Sequence, residues 1–355
     1  MNWRMPAEGD RHERTWLAWP TGGYTLGNTP AAAEEARTTW AAVANAIVDF
    51  EPVCVVVDPR DAELAPRYLS GEIDVRIAPL NDAWMRDIGP SFVVADTRMP
   101  DGRTQRRLGA VNWKFNGWGA QDWAHWDKDA LIGATVATWA EAEIIDSTLV
   151  NEGGGIQVDG AGTVLATKTV QLDPGRNPGR DRSAVESELA RTLGTTKTVW
   201  LPRGLTRDSE RFGTRGHVDI VAAFARPGVV LVHDQRDRSH PDFAVSRDIM
   251  TTLSRERDAA GNAFEVIPVP APATLRDGDG WVDYSYINHV LVNGGVIACS
   301  FDDRNDDEAA RILGEAYPGR RVVLVDARPL FARGGGIHCI TQQQPESATT
   351  GTANQ

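Results

Sequence analysis

The chain contains little cysteine: only Cys54, Cys299 and Cys339 occur among its 355 residues. An odd number of widely separated cysteines is not typical of a disulfide framework or a zinc site. No apolar stretch reaches the roughly 18 residues that a membrane-spanning helix needs. Residues 1–16 also lack the basic segment followed by an apolar one that marks a secretion signal. These absences predict a protein of a reducing cytoplasm, without contact to a membrane.

Clusters of positive charge are scarce as well. The chain has 37 Lys and Arg against 49 Asp and Glu, a net charge of -12, and no basic run that could follow a phosphate backbone. The glycine-rich segments at 152–157 and 334–338 lack the Lys and the Ser or Thr of a phosphate-binding loop. Nucleic acid is therefore not expected as a partner, whereas the acidic balance favours a cationic small molecule.

One unit recurs five times along the chain, formed by a β-branched run, a polar loop and a second apolar run. The copies lie at 73–96, 142–167, 198–234, 264–303 and 321–345. The last copy lacks its final strand, which we expect residues 51–59 to supply, closing a ring. A period of about 65 to 70 residues favours an α/β toroid over a doubly wound sheet.

Helical segments separate these units, and several open on Asp or Asn and end at Gly. They lie at 29–50, 126–142, 181–194, 242–261 and 305–319. The dipeptides Asp159-Gly160 and Asn293-Gly294 predict hairpin turns. We therefore expect a single five-fold α/β domain over residues 1–345 and a loose tail over 346–355, with the polar loops meeting at one central face.

Each of these loops carries a different reactive side chain. Asp87, Glu152, His217 with Asp219, Asn288 and Cys339 follow one another at intervals of about 50 to 70 residues, at equivalent places in the repeat. Ordinary core strands would not deliver such a set. The pattern therefore predicts one composite site at the centre of the ring.

A cysteine and a histidine on separate elements suggest a thiolate nucleophile with a general acid and base beside it. His217 is the better partner of Cys339, because His338, adjacent on an extended segment, would point to the opposite face as a structural residue. His217 and Asp219 would share a face if that segment is extended. A metal site formed by His217, Asp219 and Cys339 is a second interpretation of the same residues.

Carboxylates are unusually numerous for an acyl-transfer site. Asp87, Glu152 and Asp219 are acceptors when ionised, so they would repel a developing oxyanion. A planar guanidinium offers parallel N–H donors that carboxylates bind in a bidentate manner, and its carbon would lie within reach of a sulfur. The residues therefore favour a guanidine substrate.

Seven ordered motifs carry a resemblance to a known family. "MPAEGDRHERTWLAWP", "NDAWMRDIGP", "NEGGG", "DPGRNP", "GHVD", "SYIN" and "GGGIHCITQQQP" extend over residues 5–345. The sequence resembles the agmatine deiminase and bacterial peptidylarginine deiminase family, within the guanidino-group-modifying superfamily. The resemblance implies a five-bladed α/β propeller, the pentein fold, and makes a homo-oligomer plausible.

The resemblance also implies roles for the site residues. Cys339 would be the nucleophile and His217 the general acid and base, Asp87 and Asp219 would clamp the guanidinium, and Glu152 would orient His217. Residues expected to contact the substrate are Trp84, Asn288, Arg215, Gly335 and Gly336. The implied reaction is hydrolysis through a covalent thiouronium, in the first instance of agmatine to N-carbamoylputrescine and ammonia, with no metal or organic cofactor.

Departures from the family pattern leave the substrate open. Arg215 stands just before "GHVD", where the agmatine deiminases usually carry an acidic residue, so a guanidino acid or a carboxy-terminal arginine is an alternative substrate. An amidinotransferase would form the same intermediate and pass the amidino group to an amine. A non-catalytic propeller that binds cations is the remaining alternative, although it would be expected to lack Cys339 or His217.

Overall fold

The computed structural model describes residues 2–99 and 104–347. The strands are β1 (His12–Ala18), β2 (Val53–Val57), β3 (Asp74–Ile77), β4 (Ser91–Arg98), β5 (Thr104–Lys114), β6 (Glu143–Val150), β7 (Ile156–Val158), β8 (Thr163–Thr167), β9 (Lys197–Leu201), β10 (Ala222–Arg226), β11 (Val229–Asp234), β12 (Glu265–Pro270), β13 (Arg276–Asp277), β14 (Gly280–Trp281), β15 (Val290–Val292), β16 (Gly295–Ser300), β17 (Arg321–Asp326) and β18 (Thr341–Pro345). The helices are α1 (Gly23–Leu26), α2 (Pro30–Val48), α3 (Met85–Ile88), α4 (Gly117–Ala120), α5 (Ile132–Trp139), α6 (Lys168–Gln171), α7 (Arg182–Leu193), α8 (Asp242–Arg255), α9 (Asp306–Ala316) and α10 (Arg328–Phe331).

Four sheets share one plan, in which an antiparallel pair of strands is extended by a parallel third strand. They are β4-β5-β6, β7-β8-β9, β10-β11-β12 and β15-β16-β17. The helix α5, α7, α8 or α9 connects the second strand of each sheet to the third, as a parallel crossover requires. The fifth sheet, β18-β1-β2-β3, repeats this order with one strand added. The predicted five-fold α/β ring is confirmed.

The closure of the ring differs from the prediction. Strand β18 pairs with β1 in antiparallel register, with Thr15 opposite Gln343, and β2 lies one strand further on, parallel to β1. The expectation that residues 51–59 directly supply the missing strand was therefore wrong. The segment "HERTWLA" of β1 begins with four polar residues, which hid its strand character, although its last four side chains are buried.

The predicted helices are present, but only α2 and α7 have side-chain caps: α8 and α9 begin without one and end at Arg255 and Ala316, before the predicted Gly261 and Gly319. The Thr29 side chain accepts a hydrogen bond from the Ala32 backbone N–H, and Pro30 occupies the first turn of α2. Asp181 caps α7 in the same way, and Gly194 ends that helix in the left-handed conformation. The helix predicted at 126–142 is shorter, because its first residues form turns before Ile132.

Both predicted hairpin turns are confirmed as well. Gly160 and Gly294 have φ values of 73° and 79°, which favour glycine, at the turns between β7 and β8 and between β15 and β16. Across the described residues, the helices are all too short or too polar to cross a lipid bilayer.

The loops that leave the last strand of one sheet and enter the first strand of the next lie at one end of the ring. These loops contain α3, the turn at 153–155, the turn at 218–220, the segment before β15 and the turn before β18. Each loop contributes one predicted site residue or more, so the repeat places them together.

Candidate active site

Cys339 lies in a turn at 337–340, immediately before β18, and is 3% exposed. Its Sγ lies 3.6 Å from Asp219 Oδ2 and 3.3 Å from Asn288 Nδ2. Burial raises the pKa of the Cys339 thiol well above its ordinary value, and Asp219 and Asp87 raise this pKa further. In the free protein Cys339 is therefore a thiol, and a cation bound between the carboxylates would favour its thiolate.

Asn288 holds the turn that carries Cys339. Its Oδ1 accepts hydrogen bonds from the backbone N–H groups of His338, at 3.0 Å, and Cys339, at 3.4 Å. Its Nδ2 also donates to the backbone carbonyl of Asp219 at 3.3 Å. Asn288 thus fixes Cys339 relative to the neighbouring loop.

His217 is fully buried among carboxylates. Its Nε2 lies 3.2 Å from Glu152 Oε2, and its Nδ1 faces Asp87 Oδ1 at 3.8 Å. Burial by itself would lower the pKa of His217, but Asp87, Glu152 and Asp219 outweigh it and raise the pKa to about 9. His217 therefore holds a proton at neutral pH, as a general acid must.

Arg176 completes the support of His217, and the sequence had offered it no role beyond its place in "DPGRNP". Its Nε donates to both oxygens of Glu152 at 3.0 Å, and its Nη2 donates to the Thr214 carbonyl at 2.7 Å. Burial would raise the pKa of Glu152, but Arg176 and His217 outweigh it and lower this pKa. Glu152 is therefore an ionised partner of His217.

Asp87 lies in α3 and receives two hydrogen bonds. Trp118 Nε1 donates to its Oδ2 at 2.9 Å, and the Gly154 backbone N–H donates to its Oδ1 at 3.2 Å. Burial raises the pKa of Asp87 to about 6, against the lowering effect of His217. Asp87 is thus a carboxylate at neutral pH that takes up a proton under mild acid.

Gly154 is a site residue that the sequence analysis missed. A Cβ at this position would lie 2.5 Å from His217 Nδ1 and 3.0 Å from both Asp219 Oδ2 and Asp87 Oδ1. Only glycine leaves room for these three side chains to converge. The run of three glycines in "NEGGG" was the available signal.

The glycines before Cys339 have a comparable function. A Cβ on Gly335 would meet Trp84 at 2.7 Å and Cys339 Sγ at 3.1 Å, and one on Gly336 would meet Asn288 Oδ1 at 2.4 Å. The backbone at Gly335 and Gly336 thus passes close to protein side chains of the site itself, whereas the predicted contact of these glycines with the substrate stays a prediction.

Two expectations about local geometry were wrong. Residues 337–340 form a turn and residues 218–220 a 3-10 turn, so neither segment is extended. His338 therefore does not point away from the site: its Nδ1 lies 2.8 Å from Asp219 Oδ2. His217 and Asp219 do converge, but through the compact turn between them.

A narrow cavity leads to Cys339. Its lining is formed by Tyr24, Asp82, Trp84, Asp87, Trp118, Trp123, Phe212, Thr214, Arg333, Gly334 and Cys339. The rings of Tyr24 and Phe212 stack with centroids 4.3 Å apart, and those of Trp118 and Trp123 stack at 5.4 Å. Trp84 is 5% exposed and forms part of the wall, so aromatic rings line the approach to Cys339.

Arg215 is not brought to this cavity. It is exposed, has a left-handed φ of 76°, and is absent from the lining residues. Within residues 2–99 and 104–347, no group of three or more His, Cys, Asp and Glu side chains is arranged to hold a metal ion.

The fold and the site define the class of the protein. The agmatine deiminase of Enterococcus faecalis superimposes on it with a TM-score of 0.89 and 32% sequence identity, covering 98% of this chain and 97% of that one. The chain has the pentein fold of these enzymes and is a hydrolase of the guanidine-deiminating kind.

The family follows from the sequence comparisons. Residues 4–345 match the profile of the Porphyromonas-type peptidyl-arginine deiminases. A provisionally named agmatine deiminase of Streptomyces coelicolor is 54% identical over 348 residues, covering 98% of this chain and 100% of the relative. The agmatine deiminase of Stutzerimonas stutzeri is 38% identical over 368 residues, covering 96% and 95%. The chain belongs to the Porphyromonas-type peptidyl-arginine deiminase family.

Proposed function

We propose that this protein hydrolyses agmatine to N-carbamoylputrescine and ammonia, with Cys339 as the nucleophile. The observation that carries the proposal is the pair of carboxylates beside the thiol. Asp219 Oδ1 is buried and has no hydrogen-bond donor among the described residues, and Asp87 lies on the cavity wall beside Cys339. A buried acceptor of this kind requires a donor, and a guanidinium supplies several in one plane.

The first half of the reaction transfers the amidino carbon to sulfur. The bound cation favours loss of the Cys339 proton to solvent, and the thiolate attacks the guanidinium carbon. His217 then donates its proton to one NH2 group, the C–N bond breaks, and ammonia leaves a cationic thiouronium on Cys339. The charge is unchanged in this step, because His217 becomes neutral.

The second half returns the enzyme to its starting state. Neutral His217 takes a proton from water, the hydroxide attacks the thiouronium carbon, and the C–S bond breaks. The hydroxyl proton of the intermediate passes to the departing sulfur, which restores the thiol and releases the ureido product. Glu152 and Arg176 orient His217 through both half-reactions, while Trp84, Asn288 and the glycines at 335 and 336 shape the place of attack.

The charges of the cavity support agmatine over a guanidino acid. Asp82 is buried on its wall, with its pKa raised to about 6 by burial, and can pair with a distal ammonium at neutral pH. Arg333 is a basic residue of the lining, but its guanidinium already binds the carbonyls of Thr25, Ala32 and Pro329. Arg215 lies outside the lining and is not needed for this assignment.

The test is ammonia release from agmatine, arginine, 4-guanidinobutyrate and a peptide ending in arginine. We expect agmatine to be the preferred substrate and Cys339→Ala to be inactive. Cys54→Ala, which changes a buried cysteine of β2 whose thiol contacts Asp74, should retain activity. Preference for a substrate with a distal carboxylate would overturn the agmatine assignment. Turnover that depends on an added amine acceptor would indicate an amidinotransferase instead.

A further inference from the structure

A buried chain of three side chains runs from the amino-terminal segment to the nucleophile, and the reaction described above uses only its last member. His338 Nδ1 lies 2.8 Å from Asp219 Oδ2, and His338 Nε2 lies 2.9 and 3.1 Å from the two oxygens of Glu8. The His338 side chain is 2% exposed, that of Asp219 0% and that of Glu8 12%.

The geometry determines the charge of His338. An ionised carboxylate only accepts hydrogen bonds, so a histidine placed between two carboxylates must donate from both ring nitrogens. That requires an imidazolium. Burial would lower the pKa of His338, as would Arg86, but Glu8 and Asp219 outweigh them and raise it.

Gln157 and Arg86 contact the Glu8 carboxylate in addition to His338 and favour its charged form. Gln157 Nε2 donates to Glu8 Oε1 at 3.0 Å, and Arg86 Nη1 lies 3.8 Å from the same oxygen. Burial would raise the pKa of Glu8, but His338 and Arg86 outweigh it and lower the pKa to about 2. Two further ionisable groups face this pair. Burial lowers the pKa of His289 to about 4, so His289 is neutral, and burial and Glu8 raise the pKa of Tyr317, so its hydroxyl keeps its proton.

The chain ends on the reacting thiol. Asp219 Oδ2, which receives the His338 hydrogen bond, is also the oxygen 3.6 Å from Cys339 Sγ. A cation bonded to that oxygen offsets the field that Asp219 exerts on the sulfur, and it also fixes the orientation of the carboxylate.

We propose that Glu8 and His338 are positioning residues for Asp219: Glu8 keeps His338 charged, and the imidazolium holds Asp219 in place while offsetting its charge beside Cys339. This inference rests on the proposed function for its catalytic meaning. Through Glu8, it also gives the amino-terminal motif "MPAEGDRHERTW" a function at a site whose other residues lie far along the chain.

The first test measures the pH dependence of Cys339 alkylation by iodoacetamide, in a Cys54→Ala and Cys299→Ala background and without substrate. Glu8→Gln keeps the size and the hydrogen-bonding capacity of the side chain and removes its charge. His338 should then become neutral near pH 7 and no longer offset the charge of Asp219 beside the thiol. The alkylation midpoint should therefore rise by about one pH unit, which makes alkylation about tenfold slower at a fixed pH below the midpoint. His338→Gln should raise the midpoint in the same direction.

The matched control is Glu51→Gln. Glu51 is a buried glutamate of the same part of the fold, paired with His12 at 3.1 Å, and His12 in turn contacts the Glu8 carbonyl at 2.8 Å. This variant disturbs the amino-terminal segment without removing the Glu8 charge, so its midpoint should match that of the parent protein. An unchanged or lower midpoint in Glu8→Gln, or an equal shift in Glu51→Gln, would overturn the proposal.

The second test separates this inference from the proposed function. With agmatine, Glu8→Gln should lower kcat at pH 8 about tenfold and recover toward the parent rate at pH 6, where His338 regains its proton. A uniform loss at both pH values contradicts the proposal. A midpoint shift in a protein that does not turn over agmatine would leave the positioning chain supported and the substrate assignment wrong. Turnover of agmatine without a midpoint shift in Glu8→Gln would support the substrate assignment and overturn the positioning role of Glu8 and His338.

Discussion

His217 and Asp87 show how burial and neighbouring charge act on single residues of this site. Burial opposes charge on both residues. For Asp87 burial prevails and raises the pKa to about 6, whereas for His217 three surrounding carboxylates outweigh burial and raise the pKa to about 9. Between about pH 6 and 9, one is an imidazolium and the other a carboxylate. This is the range in which the proposed acid and the proposed guanidinium ligand are both in the required state.

The acid limb of kcat/KM is expected near pH 6, because activity should fall as the pH decreases through the pKa of Asp87. Trp118→Phe removes the indole N–H that stabilises the charged form of Asp87, so this pKa should rise and the limb should move to higher pH, by up to about one unit. The measurement is the pH profile of kcat/KM with agmatine.

Trp113→Phe is the matched control for that profile. The Trp113 indole also donates one buried hydrogen bond, at 2.9 Å to Ser91 Oγ, but makes it within the core. Its acid limb should stay in place. If the limb does not move in Trp118→Phe either, a different carboxyl group such as Asp82, whose pKa is also about 6, governs it.

At the residue scale, the convergence of the candidate site residues could be predicted from the sequence, and the residues that support them could not. Cys339, His217, Asp87, Glu152, Asp219 and Asn288 recur at equivalent places in the repeat, and the structure brings them together. Arg176 and Gly154 have no such signal, because their importance depends on which side chains converge around them in three dimensions. The role of His338 depends on a turn where the sequence suggested an extended segment.

At the scale of elements, Arg333, which follows α10, connects separate segments of the cavity wall. Its guanidinium donates to the carbonyls of Thr25 and Ala32, which lie in the α1 and α2 region, and to that of Pro329 in α10. Tyr24 stands in the same α1 segment and stacks on Phe212 across the cavity. A single side chain thus connects two loops that must lie side by side for the wall to be continuous.

Arg333→Met should therefore loosen this wall. The buried Thr25 carbonyl and the partly buried carbonyls of Ala32 and Pro329 lose a donor, and Glu35 loses its ion pair with Arg333. We therefore expect the free energy of unfolding to fall by about 2 to 4 kcal/mol. KM for agmatine should rise roughly tenfold with a smaller change in kcat, a binding loss of about 1.4 kcal/mol. Urea unfolding and steady-state kinetics measure the two effects.

Arg328→Met is the control for the loss of an arginine from the same loop. Arg328 pairs with Asp326 and Asp302 near the surface, where ion pairs contribute little. Its variant should lose less than about 1 kcal/mol and keep KM unchanged. Equal effects of the two substitutions would argue against a specific function of Arg333 in the wall.

The elements themselves were predictable to different degrees. Helices with local caps, such as α2 and α7, were correctly placed, because the capping side chains and the helix lie in one short stretch of sequence. Strand β1 was missed, because its partners β18 and β2 are contributed by distant parts of the chain and its first residues are polar. Long-range pairing leaves little trace in local composition.

At the scale of the whole molecule, the two ends of the ring meet in one sheet. All five residues of β18 are buried, and Trp16 Nε1 donates to Gln344 Oε1 at 2.9 Å across the junction. The predicted domain limit at residue 345 lies close to this junction, and Glu346 and Ser347 continue it through contacts with Arg11 and Glu13. Residues 348–355 of the predicted tail lie outside the described residues, and their loose state stays a prediction.

Two truncations test the closure. Removal of 341–355 deletes β18 and exposes the apolar side of β1, so we expect insoluble or unfolded protein without activity. Removal of 348–355 deletes only small and polar residues of low apolar content, and Tm should change by no more than about 2 °C. Thermal unfolding of both proteins measures this, and a folded, active product of the longer deletion would show that β18 does not close the ring.

The position of Cys339, two residues before β18, links the chemistry of this protein to the order of its synthesis. A ribosome completes β1 long before β18, so β1 has no partner on that side until residues 341–345 have been made. Until that last strand docks, the cysteine has no fixed position relative to Asn288 or Asp219. Chains that lack β18 should therefore have no activity, and the reactivity of Cys339 should appear only after the ring has closed.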